Sequence, residues 1–297
     1  MSTTISGQSY AVPVAQVRAR STGGQTLRRI GFWALVVILM IFCLFPFYWA
    51  IVSSLKGDLE LFQTPPTLFP HSPTLQNYND VLFNRPFPHN VWNSIVVSTV
   101  NTLLSLLVGT FCGYALARIR FRGRSLVLGF ILAVVTFPTI SIINPLFVEM
   151  RNFGWINTYQ GLIGPYLVFS LPFSVWLLTT FFRDLPREVE EASLVDGCTH
   201  IQTMFLVMIP LATPAMVTIG LLNFISSWNE LIYALTFTVD DSVRTVPAAI
   251  IYFNGQYSVP WGSIMAASVL VTVPLIALVL VFQGRIVAGL TAGSVKG

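Results

Sequence analysis

Glu230 is the residue whose type and position first suggest chemistry, because it lies within an apolar run that holds almost no other charge. Ionisable side chains at membrane depth are rare, and they commonly mark a substrate pathway or a proton relay. Trp228 and Asn229 precede it and add an aromatic face and an amide. We therefore predict that these three residues line a translocation pathway. Helix packing around a paired or interfacial Glu230 is an equally weighted alternative.

A second acidic group lies in the polar segment 183–210, which separates two of the apolar runs. Three acidic residues fall within four positions: Glu188, Glu190 and Glu191. Pro186 suits the first turn of a helix, where the helix dipole also favours negative charge. Val189, Ala192 and Val195 recur at three-residue spacing and predict a narrow apolar stripe on that helix.

The same segment contains the signals that end one helix and begin another. Gly197 follows Asp196 and is placed to cap the first helix, because glycine accepts a positive φ at little cost. Thr199 and Gln202 match a capping box for a second helix that leads to Pro210. Amphipathic helices of this kind lie on membranes or dock on partners. Because this polar face is acidic and offers little attraction to anionic lipid, partner docking is the better interpretation.

The sequence lacks the residue patterns needed for ATP hydrolysis and for metal binding. A phosphate loop needs Gly-x-x-x-x-Gly-Lys-Ser/Thr, but the only lysines, Lys56 and Lys296, follow Leu55 and Val295. The three cysteines are far apart and indicate neither a disulfide framework nor a zinc site: Cys43, Cys112 and Cys198. We therefore expect this chain to bind no metal or cofactor of its own.

Long apolar runs must position these groups. Hydrophobic residues make up 54% of the 297-residue chain and charged residues 9%, against about 25% charged in soluble domains. About 20 apolar residues cross a bilayer as a helix. Six runs approach or exceed that length, at 30–52, 91–117, 126–148, 161–182, 211–237 and 263–283. The predicted fold is therefore all-α, a polytopic membrane protein with six transmembrane helices.

The positions of the basic residues predict the orientation of the spans, because Lys and Arg concentrate in cytoplasmic loops. With six spans, one side receives twelve of the 16 basic residues: Arg18, Arg20, Arg28, Arg29, Arg118, Arg120, Arg122, Arg124, Arg183, Arg187, Arg285 and Lys296. Both termini are therefore predicted to be cytoplasmic. The pI of about 9.1 reflects this topology and not nucleic-acid binding, because the charges flank spans and form no groove with stacking aromatics.

The span boundaries divide the chain into three parts. Residues 1–29 form a cytoplasmic N-terminal tail, and residues 284–297 form a cytoplasmic C-terminal tail. Residues 30–283 form the six-helix transmembrane domain, which includes the cytoplasmic loop 183–210. Two long external loops are expected: 57–89 and 238–262.

The segment 183–210 resembles a motif of the inner-membrane permease subunits of ABC importers. That motif reads Glu-Ala-Ala, three residues, Gly, nine residues and Ile-x-Leu-Pro. Here it is matched by Glu191-Ala192-Ser193, Gly197 and Val207-Met208-Ile209-Pro210. The departures are Ser193 for alanine, Val207 for isoleucine and Ile209 for leucine. All are close in volume, so docking on a partner should be retained.

Two further segments narrow the resemblance to carbohydrate permeases. Ser226-Ser227-Trp228-Asn229-Glu230 is similar to the fifth-span motif of these permeases. Residues 289–297 are similar to the tail of the smaller permease of maltose- and trehalose-type systems. The likeness covers about residues 25–297. It implies the type I ABC importer permease fold, with six spans and cytoplasmic termini.

The resemblance implies a coupling site and the partners that act on it. A coupling helix within 186–202 would dock in a cleft of a separate ATPase. The coupling residues would be Glu190, Glu191, Ala192, Ser193, Asp196, Gly197 and Pro210. ATP and Mg²⁺ would bind to two ATPase subunits, and this chain would be a non-catalytic permease subunit. It would form a heterodimer with a second homologous permease, in the lipid of a bacterial or archaeal cytoplasmic (inner) membrane.

The resemblance also implies a sugar substrate, such as a di- or oligosaccharide of the α-glucoside type, delivered by an extracytoplasmic sugar-binding protein. Contact with that protein would use a second set of residues: Asp240, Asp241, Asn254, Gly255 and Gln256. Trp228 and Asn229 suit a sugar pathway because sugars favour aromatic faces and amide hydrogen bonds. In maltose-type systems, however, most sugar contacts belong to the larger partner permease.

Two other function classes fit the sequence less well. An ion-coupled secondary carrier needs intramembrane acids or histidines, and often broken helices in repeated halves. Apart from Glu230 the runs hold almost no charge, and the three histidines lie in loops: His71, His89 and His200. An intramembrane enzyme needs a nucleophile–base pair or paired carboxylates, and the runs contain no plausible set.

Overall fold

The computed structural model of the chain describes residues 22–253 and 259–291, and every regular element within these ranges is helical. The α-helices are, in chain order, α1 Thr22–Ser54, α2 Asp58–Leu61, α3 Gln76–Asn79, α4 Phe87–Arg118, α5 Arg124–Thr136, α6 Ile143–Asn152, α7 Tyr159–Asp184, α8 Arg187–Val195, α9 His200–Thr203, α10 Ile209–Trp228, α11 Ile232–Phe237, α12 Val246–Ile251 and α13 Trp261–Thr291. The predicted all-α fold is confirmed.

Five helices of the described chain are long and apolar enough to cross a membrane: Leu27–Ser54, Phe87–Arg118, Tyr159–Asp184, His200–Trp228 and Trp261–Gly284. A sixth crossing is available if α5 and the helical segment that ends with α6 count as one broken span. These two pieces meet at an angle of 94°. The polytopic fold is confirmed, and the predicted count of six holds when the bent pair is one span.

The predicted third span, 126–148, is a bent pair and not one continuous helix. α5 ends at Thr136, and Phe137 is extended, with φ −73° and ψ 134°. The cause is Pro138, because a proline ring disfavours the helical conformation of the residue before it. A 3₁₀ turn over Thr139–Ile142 then leads into α6. The apolar run is long enough for one span, but its proline divides it.

The predicted fifth span, 211–237, starts and ends earlier in the structure. A continuous helix runs through α9 and α10, and the end of the predicted run forms the separate helix α11. Pro210 has no N–H to donate within this helix. Just before Pro210, residues Met204–Met208 form a wider π-helical turn. Ile209 follows this turn, and its N–H donates to the Met204 carbonyl. The proline is thus accommodated without ending the helix.

The chain divides into two compact units at Tyr48. The first unit contains the N-terminal part of α1, where the apolar residues 37–42 are all exposed over more than one full turn. A helix that is apolar on all sides must be covered by lipid or by protein. The second unit begins at Trp49 and contains the end of α1 and all later helices.

In the second unit, α4 packs against α7 through two glycines. A Cβ added to Gly109 would stand 2.8 Å from the Ser174 Cβ, and one added to Gly113 would stand 2.9 Å from the Leu178 Cβ. Neither distance leaves room for a side chain. The two helix backbones therefore approach closely, as they do in the small-xxx-small packing of membrane helices.

Buried hydrogen bonds join α4, α7 and α10. The Asn101 side chain donates to the Ser227 hydroxyl at 2.7 Å and accepts from the Ser170 hydroxyl at 3.0 Å. The Asn223 amide donates to the Ser174 hydroxyl at 2.7 Å. Because an unpaired buried amide is costly, these bonds hold the three helices in one register.

The two ends of α4 contact different parts of the chain. Near its start, Asn90 and Asn93 both donate to the Arg244 carbonyl at 3.1 Å. In its last turn, Arg118 forms an ion pair with Glu190 of α8. The segment 238–246, which we call the Arg244 loop, and the helix α8 therefore lie at opposite ends of α4.

Helix extends into both predicted tails. α1 begins at Thr22, within 1–29, and α13 continues to Thr291, within 284–297. Residues 1–21 and 292–297 lie outside the described ranges.

Candidate functional site

The α8 segment ends in the glycine turn that the sequence predicts. Gly197 has φ +93°, a conformation that glycine adopts without strain. The Cys198 N–H donates to the Ser193 carbonyl at 3.0 Å, and the Gly197 N–H donates to the Leu194 carbonyl at 3.1 Å. This pair of bonds is the Schellman motif, which satisfies the last carbonyls of a helix. The turn therefore points the chain from α8 into α9 with a defined geometry.

A capping box begins α9, as predicted, and two hydroxyl groups join it to α8. The Gln202 N–H donates to Thr199 Oγ1 at 3.3 Å, and the Thr199 N–H donates to Gln202 Oε1 at 2.8 Å. The buried Ser193 hydroxyl donates to the Glu190 carbonyl at 2.8 Å. Its oxygen therefore accepts the proton of the Thr203 hydroxyl, 2.8 Å away.

Glu190 fixes α8 against the last turns of α4. The Tyr114 hydroxyl donates to Glu190 Oε1 at 2.6 Å, and Arg118 Nε lies 3.0 Å from Glu190 Oε2. The Arg118 side chain is 7% exposed and the Glu190 side chain 13%. Arg118 also donates to the Leu185 carbonyl at 2.9 Å. The structure thus places Glu190, one of the predicted coupling residues, inside the protein.

The remaining coupling residues of α8, apart from the buried Ser193, form an exposed surface. Positions i, i+3, i+4 and i+7 share one face of a helix. The exposed residues at this spacing, with the two that follow, are Glu188, Glu191, Ala192, Val195, Asp196 and Gly197. Val195 is 87% exposed. We call this set the α8 face: it offers two helical carboxylates around a small apolar patch. Pro210 is also exposed but lies farther along, at the start of α10.

A cavity of about 500 Å³ lies between α7, α10, α11 and the break after α5. Its polar lining includes Ser170, Asn223, Ser227 and Glu230. Its aromatic lining includes Tyr166, Phe169, Phe173 and Tyr233. Of the three predicted pathway residues, the structure brings only Glu230 to this cavity.

The break between α10 and α11 is built by the predicted pathway residues themselves. The Asn229 amide donates back to the Ile225 carbonyl at 2.8 Å, where α10 ends. The Glu230 carboxylate then accepts the N–H groups of Tyr233 at 3.0 Å and Ala234 at 3.2 Å, which begin α11. Trp228 is 1% exposed and stacks on Phe224, with ring centroids 5.7 Å apart. Trp228 and Asn229 therefore shape the break, whereas Glu230 both shapes it and faces the cavity.

The Arg244 loop is held together from within. The Arg244 guanidinium is buried, donates to Asp241 Oδ1 at 2.8 Å and lies 4.0 Å from the centre of the Tyr252 ring. It also donates to the Val239 carbonyl at 2.8 Å. Asp241, predicted to contact a binding protein, pairs with Arg244 within the loop while its side chain stays 42% exposed.

Asp240, the neighbouring predicted contact residue, is also exposed on this loop. Hydrogen bonds from Ser242 and from Asn157 lower the pKa of Asp240 to about 2, so this carboxylate stays negatively charged at neutral pH. Asn157, with φ +58°, also accepts the Val239 N–H at 2.9 Å. The other predicted contact residues lie outside the described ranges: Asn254, Gly255 and Gln256.

Sequence reasoning missed several residues that position these sites. Tyr114 and Arg118 are four positions apart at the end of an apolar run, a spacing that places both on one helix face. That spacing could have identified them as partners of the acidic segment. Asn157 and Tyr166 carry no comparable signal. No group of three or more His, Cys, Asp or Glu side chains that could hold a metal ion lies within the described ranges.

The family described as "binding-protein-dependent transport system inner membrane component" matches residues 105–291 of this chain. That range includes the α8 segment and the whole lining of the cavity.

Several curated relatives match nearly the full length. The trehalose/maltose transport system permease protein MalG of Thermococcus litoralis is 41% identical over 276 residues, which is 92% of this chain and 99% of that protein. The trehalose transport system permease protein SugB of Mycobacterium tuberculosis is 39% identical, over 91% of this chain and 99% of that protein. The sulfoquinovosyl glycerol transport system permease protein SmoH of Agrobacterium fabrum is 41% identical, over 88% of this chain and 91% of that protein.

A solved structure agrees with the fold. One chain of a bacterial ABC transporter involved in the import of the acidic polysaccharide alginate superposes with a TM-score of 0.73. It is 24% identical, and the match covers 89% of this chain and 98% of that one. At this identity the likeness supports the architecture and leaves the substrate open.

Proposed function

This chain belongs to the family of binding-protein-dependent transport system inner membrane components, and on that basis we propose that it is the permease subunit of an ATP-driven sugar importer. The observation that carries the proposal is the α8 face, an exposed acidic and apolar surface at one end of a bundle of apolar spans. The names of the relatives include trehalose and maltose, which supports a di- or oligosaccharide such as an α-glucoside. No relative named above is an ion-coupled carrier.

ATP hydrolysis is assigned to separate subunits. The sequence has no lysine placed to complete a phosphate loop. We assign ATP and Mg²⁺ to two ATPase subunits, while this chain forms half of the pathway with a second, homologous permease in the cytoplasmic membrane.

The α8 face is the proposed docking surface for one ATPase subunit. Its exposed patch is small and acidic, so the complementary cleft should be apolar with basic residues at its rim. A movement of the ATPase would reach the spans by two connections. Glu190 joins α8 to Tyr114 and Arg118 of α4, and the Ser193–Thr203 hydrogen bond joins α8 to the helix that continues as α10.

The cavity beside Glu230 is the proposed pathway surface of this chain. In an alternating-access cycle, closure of the ATP-bound ATPase subunits would open the pathway outward, and hydrolysis would return it inward. The Arg244 loop, at the opposite end of α4 from α8, is the proposed contact for a sugar-loaded binding protein. Asp240 is its exposed acidic residue.

Reconstitution tests this function. The chain should be produced with the second permease, the ATPase and the binding protein encoded with it, and one affinity tag on this chain should recover the complex. In proteoliposomes, trehalose or maltose with the binding protein should stimulate ATP hydrolysis and be imported. Sugar import that follows an ion gradient without ATP would contradict the proposal.

A further inference from the structure

Arginines gather at the end of the bundle where three apolar helices end or begin. α4 ends at Arg118, α5 begins at Arg124 and α7 ends at Asp184. The ends of membrane spans lie at the level of the lipid headgroups. Besides Arg118, which pairs with Glu190, the segments at these helix ends carry Arg120, Arg122, Arg124, Arg183 and Arg187.

Hydrogen bonds draw these segments together. Arg124 Nη2 donates to the Ala117 carbonyl in the last turn of α4 at 3.1 Å. Arg118 Nη2, from the same turn, donates to the Leu185 carbonyl at 2.9 Å. Arg124 therefore lies near the two arginines that flank Leu185, and their charges repel its guanidinium, as does that of the arginine four positions before it. We call this set the arginine cluster: Arg120, Arg124, Arg183 and Arg187.

The arginine cluster is accessible and carries an excess of positive charge. Three of its members are exposed, and Arg124 is half-buried. Residues 117–124 contain no acid, and the acids of residues 183–188 are Asp184 and Glu188. Four positive charges thus stand against two negative ones in these segments. Because like charges held close together cost free energy, an anion from outside the chain would stabilise the cluster.

Exposed apolar side chains continue from the arginine cluster along α5. None of the residues of α5 is buried. Leu126 is 79% exposed and Phe130 73%, and their four-residue spacing places both on one face of the helix. Phe121, between two exposed arginines of the loop before α5, is 44% exposed. A positive head beside an apolar face matches an amphiphilic anion better than a soluble one.

The chemistry of arginine indicates a phosphate group. The planar guanidinium donates two parallel hydrogen bonds, which suit phosphate oxygens. Basic pockets between the cytoplasmic ends of membrane helices bind the headgroups of anionic lipids. The proposed ATPase cleft fits this surface less well, because a cleft that is complementary to the acidic α8 face has basic residues at its rim. Such a rim would meet charges of its own sign at the arginine cluster.

We propose that the arginine cluster binds the phosphate of an anionic phospholipid of the cytoplasmic leaflet, with the acyl chains along Leu126 and Phe130 of α5. The inference rests on the topology of the proposed importer, with α8 in the cytoplasm, and adds a lipid partner to it. Because Arg187 begins α8, the bound lipid would hold the first turn of the docking helix at the membrane surface.

Retention of lipid tests the site. The tagged chain is purified in detergent with the subunits that accompany it, and bound lipid is counted by native mass spectrometry. Phosphatidylglycerol should be retained several-fold more strongly than phosphatidylcholine with the same acyl chains. Arg120→Gln with Arg183→Gln should lower the retention of phosphatidylglycerol several-fold, because one exposed positive charge is lost from each segment. Arg28→Gln with Arg29→Gln is the matched control, since it removes two exposed arginines at the start of another span.

The control variant should retain phosphatidylglycerol at the parent level. Equal retention of both lipids by the parent, or equal losses in the two double variants, would overturn the site. Displacement of the lipid by glycerol 1-phosphate would show a site for a small anion instead. Loss of the ATPase with unchanged lipid in the cluster variant would make the arginines an ATPase contact. These measurements involve no transport, so failure to import sugar with ATP would overturn the proposed function alone.

Salt provides a second test, on the native sequence. At low ionic strength, phosphatidylglycerol should raise the unfolding temperature of the purified protein more than phosphatidylcholine does. The difference should shrink in about 1 M NaCl, where charges are screened beyond about 3 Å. It should also be smaller for Arg120→Gln with Arg183→Gln than for the parent at low salt. A difference that neither salt nor these substitutions reduce would contradict binding at the arginine cluster.

Discussion

Glu190 shows how a single residue can connect α8, the proposed docking helix, to a membrane span. Its carboxylate receives the Tyr114 hydroxyl and pairs with Arg118, and both partners belong to α4. An ion pair with this little exposure is costly to break from one side, because the remaining charge stays buried. The neighbouring Glu191 is exposed. Two adjacent glutamates thus differ in position: Glu191 lies on the exposed α8 face, the proposed docking surface, and Glu190 faces the span.

Glu190→Gln should uncouple the importer. The amide retains an acceptor for Tyr114, but Arg118 loses its counter-charge, which costs about 3–5 kcal/mol for a buried pair. We expect more ATP to be hydrolysed per sugar imported, because α8 no longer moves α4 with it. The measurement is the ratio of the two rates in proteoliposomes.

The exposed Glu188 provides the control for this substitution, since Glu188→Gln removes the same charge from the α8 face. This variant should change affinity for the ATPase and leave the coupling ratio unchanged. A parental coupling ratio in Glu190→Gln, with intact assembly, would refute the positioning role.

Ser193 departs from the alanine of the resembled motif, and the structure supplies the reason. Ser193→Ala removes the acceptor of the buried Thr203 hydroxyl, at a cost of about 1–3 kcal/mol. Ser193→Ala with Thr203→Val removes both polar groups and should recover most of the loss. Thermal unfolding of the purified complex measures the loss of stability in the single and the double variant. Additive losses in the double variant would show that the two hydroxyls do not act as a pair.

At the scale of elements, Gly197 sets the angle between α8 and α9. Gly197→Pro should abolish sugar import without preventing membrane insertion, because proline cannot adopt φ +93° and removes the N–H that bonds Leu194. Gly123→Pro is the matched control: Gly123 has φ +91°, and, as at Gly197, a Cβ there would meet nothing within 4 Å. The measurements are the rate of sugar import and the amount of each variant that is inserted in the membrane. Normal sugar uptake by the Gly197→Pro variant would show that the turn has no role in coupling.

The glycine contact between α4 and α7 should respond strongly to added volume. Gly113→Val would bring side-chain atoms to within 2.9 Å of Leu178 and force the two helices apart. We expect a lower unfolding temperature and a loss of import. Gly129→Val on α5, where a Cβ meets nothing within 4 Å, should not lower the unfolding temperature, because valine has a higher helix propensity than glycine. Equal losses in the two variants would contradict the packing role of Gly113.

The elements show which features a sequence can predict. Run length and the scarcity of charge predict the approximate positions of the spans. Glycine and capping residues predict the two helices of the α8 segment. Both predictions succeed because these signals are local. Breaks within the runs were missed: Pro138 bends the third span, and Asn229 and Glu230 end α10. The contacts of Glu190 and Tyr166 depend on helix packing, which no single segment encodes.

At the scale of the whole molecule, α4 connects the two functional ends. Asn90 and Asn93 hold the Arg244 loop at its start, and Tyr114 and Arg118 hold α8 at its end. The glycine contact with α7 lies between them. A displacement of α8 can therefore reach the Arg244 loop through one continuous helix, which fits the proposed importer, in which use of ATP would release the binding protein.

The proposed function requires the Arg244 loop and the α8 segment to lie on opposite sides of the membrane, with α8 in the cytoplasm. In a chain with Cys43→Ala and Cys112→Ala, the native Cys198 should react with a membrane-impermeant maleimide only in inverted vesicles. Asp240→Cys, placed in the same background with Cys198→Ala, should react only in right-side-out vesicles, because Asp240 is exposed on the Arg244 loop. Permeabilised vesicles control for reactivity. Labelling of both positions from one side would contradict the topology, and with it the transmission of movement along α4.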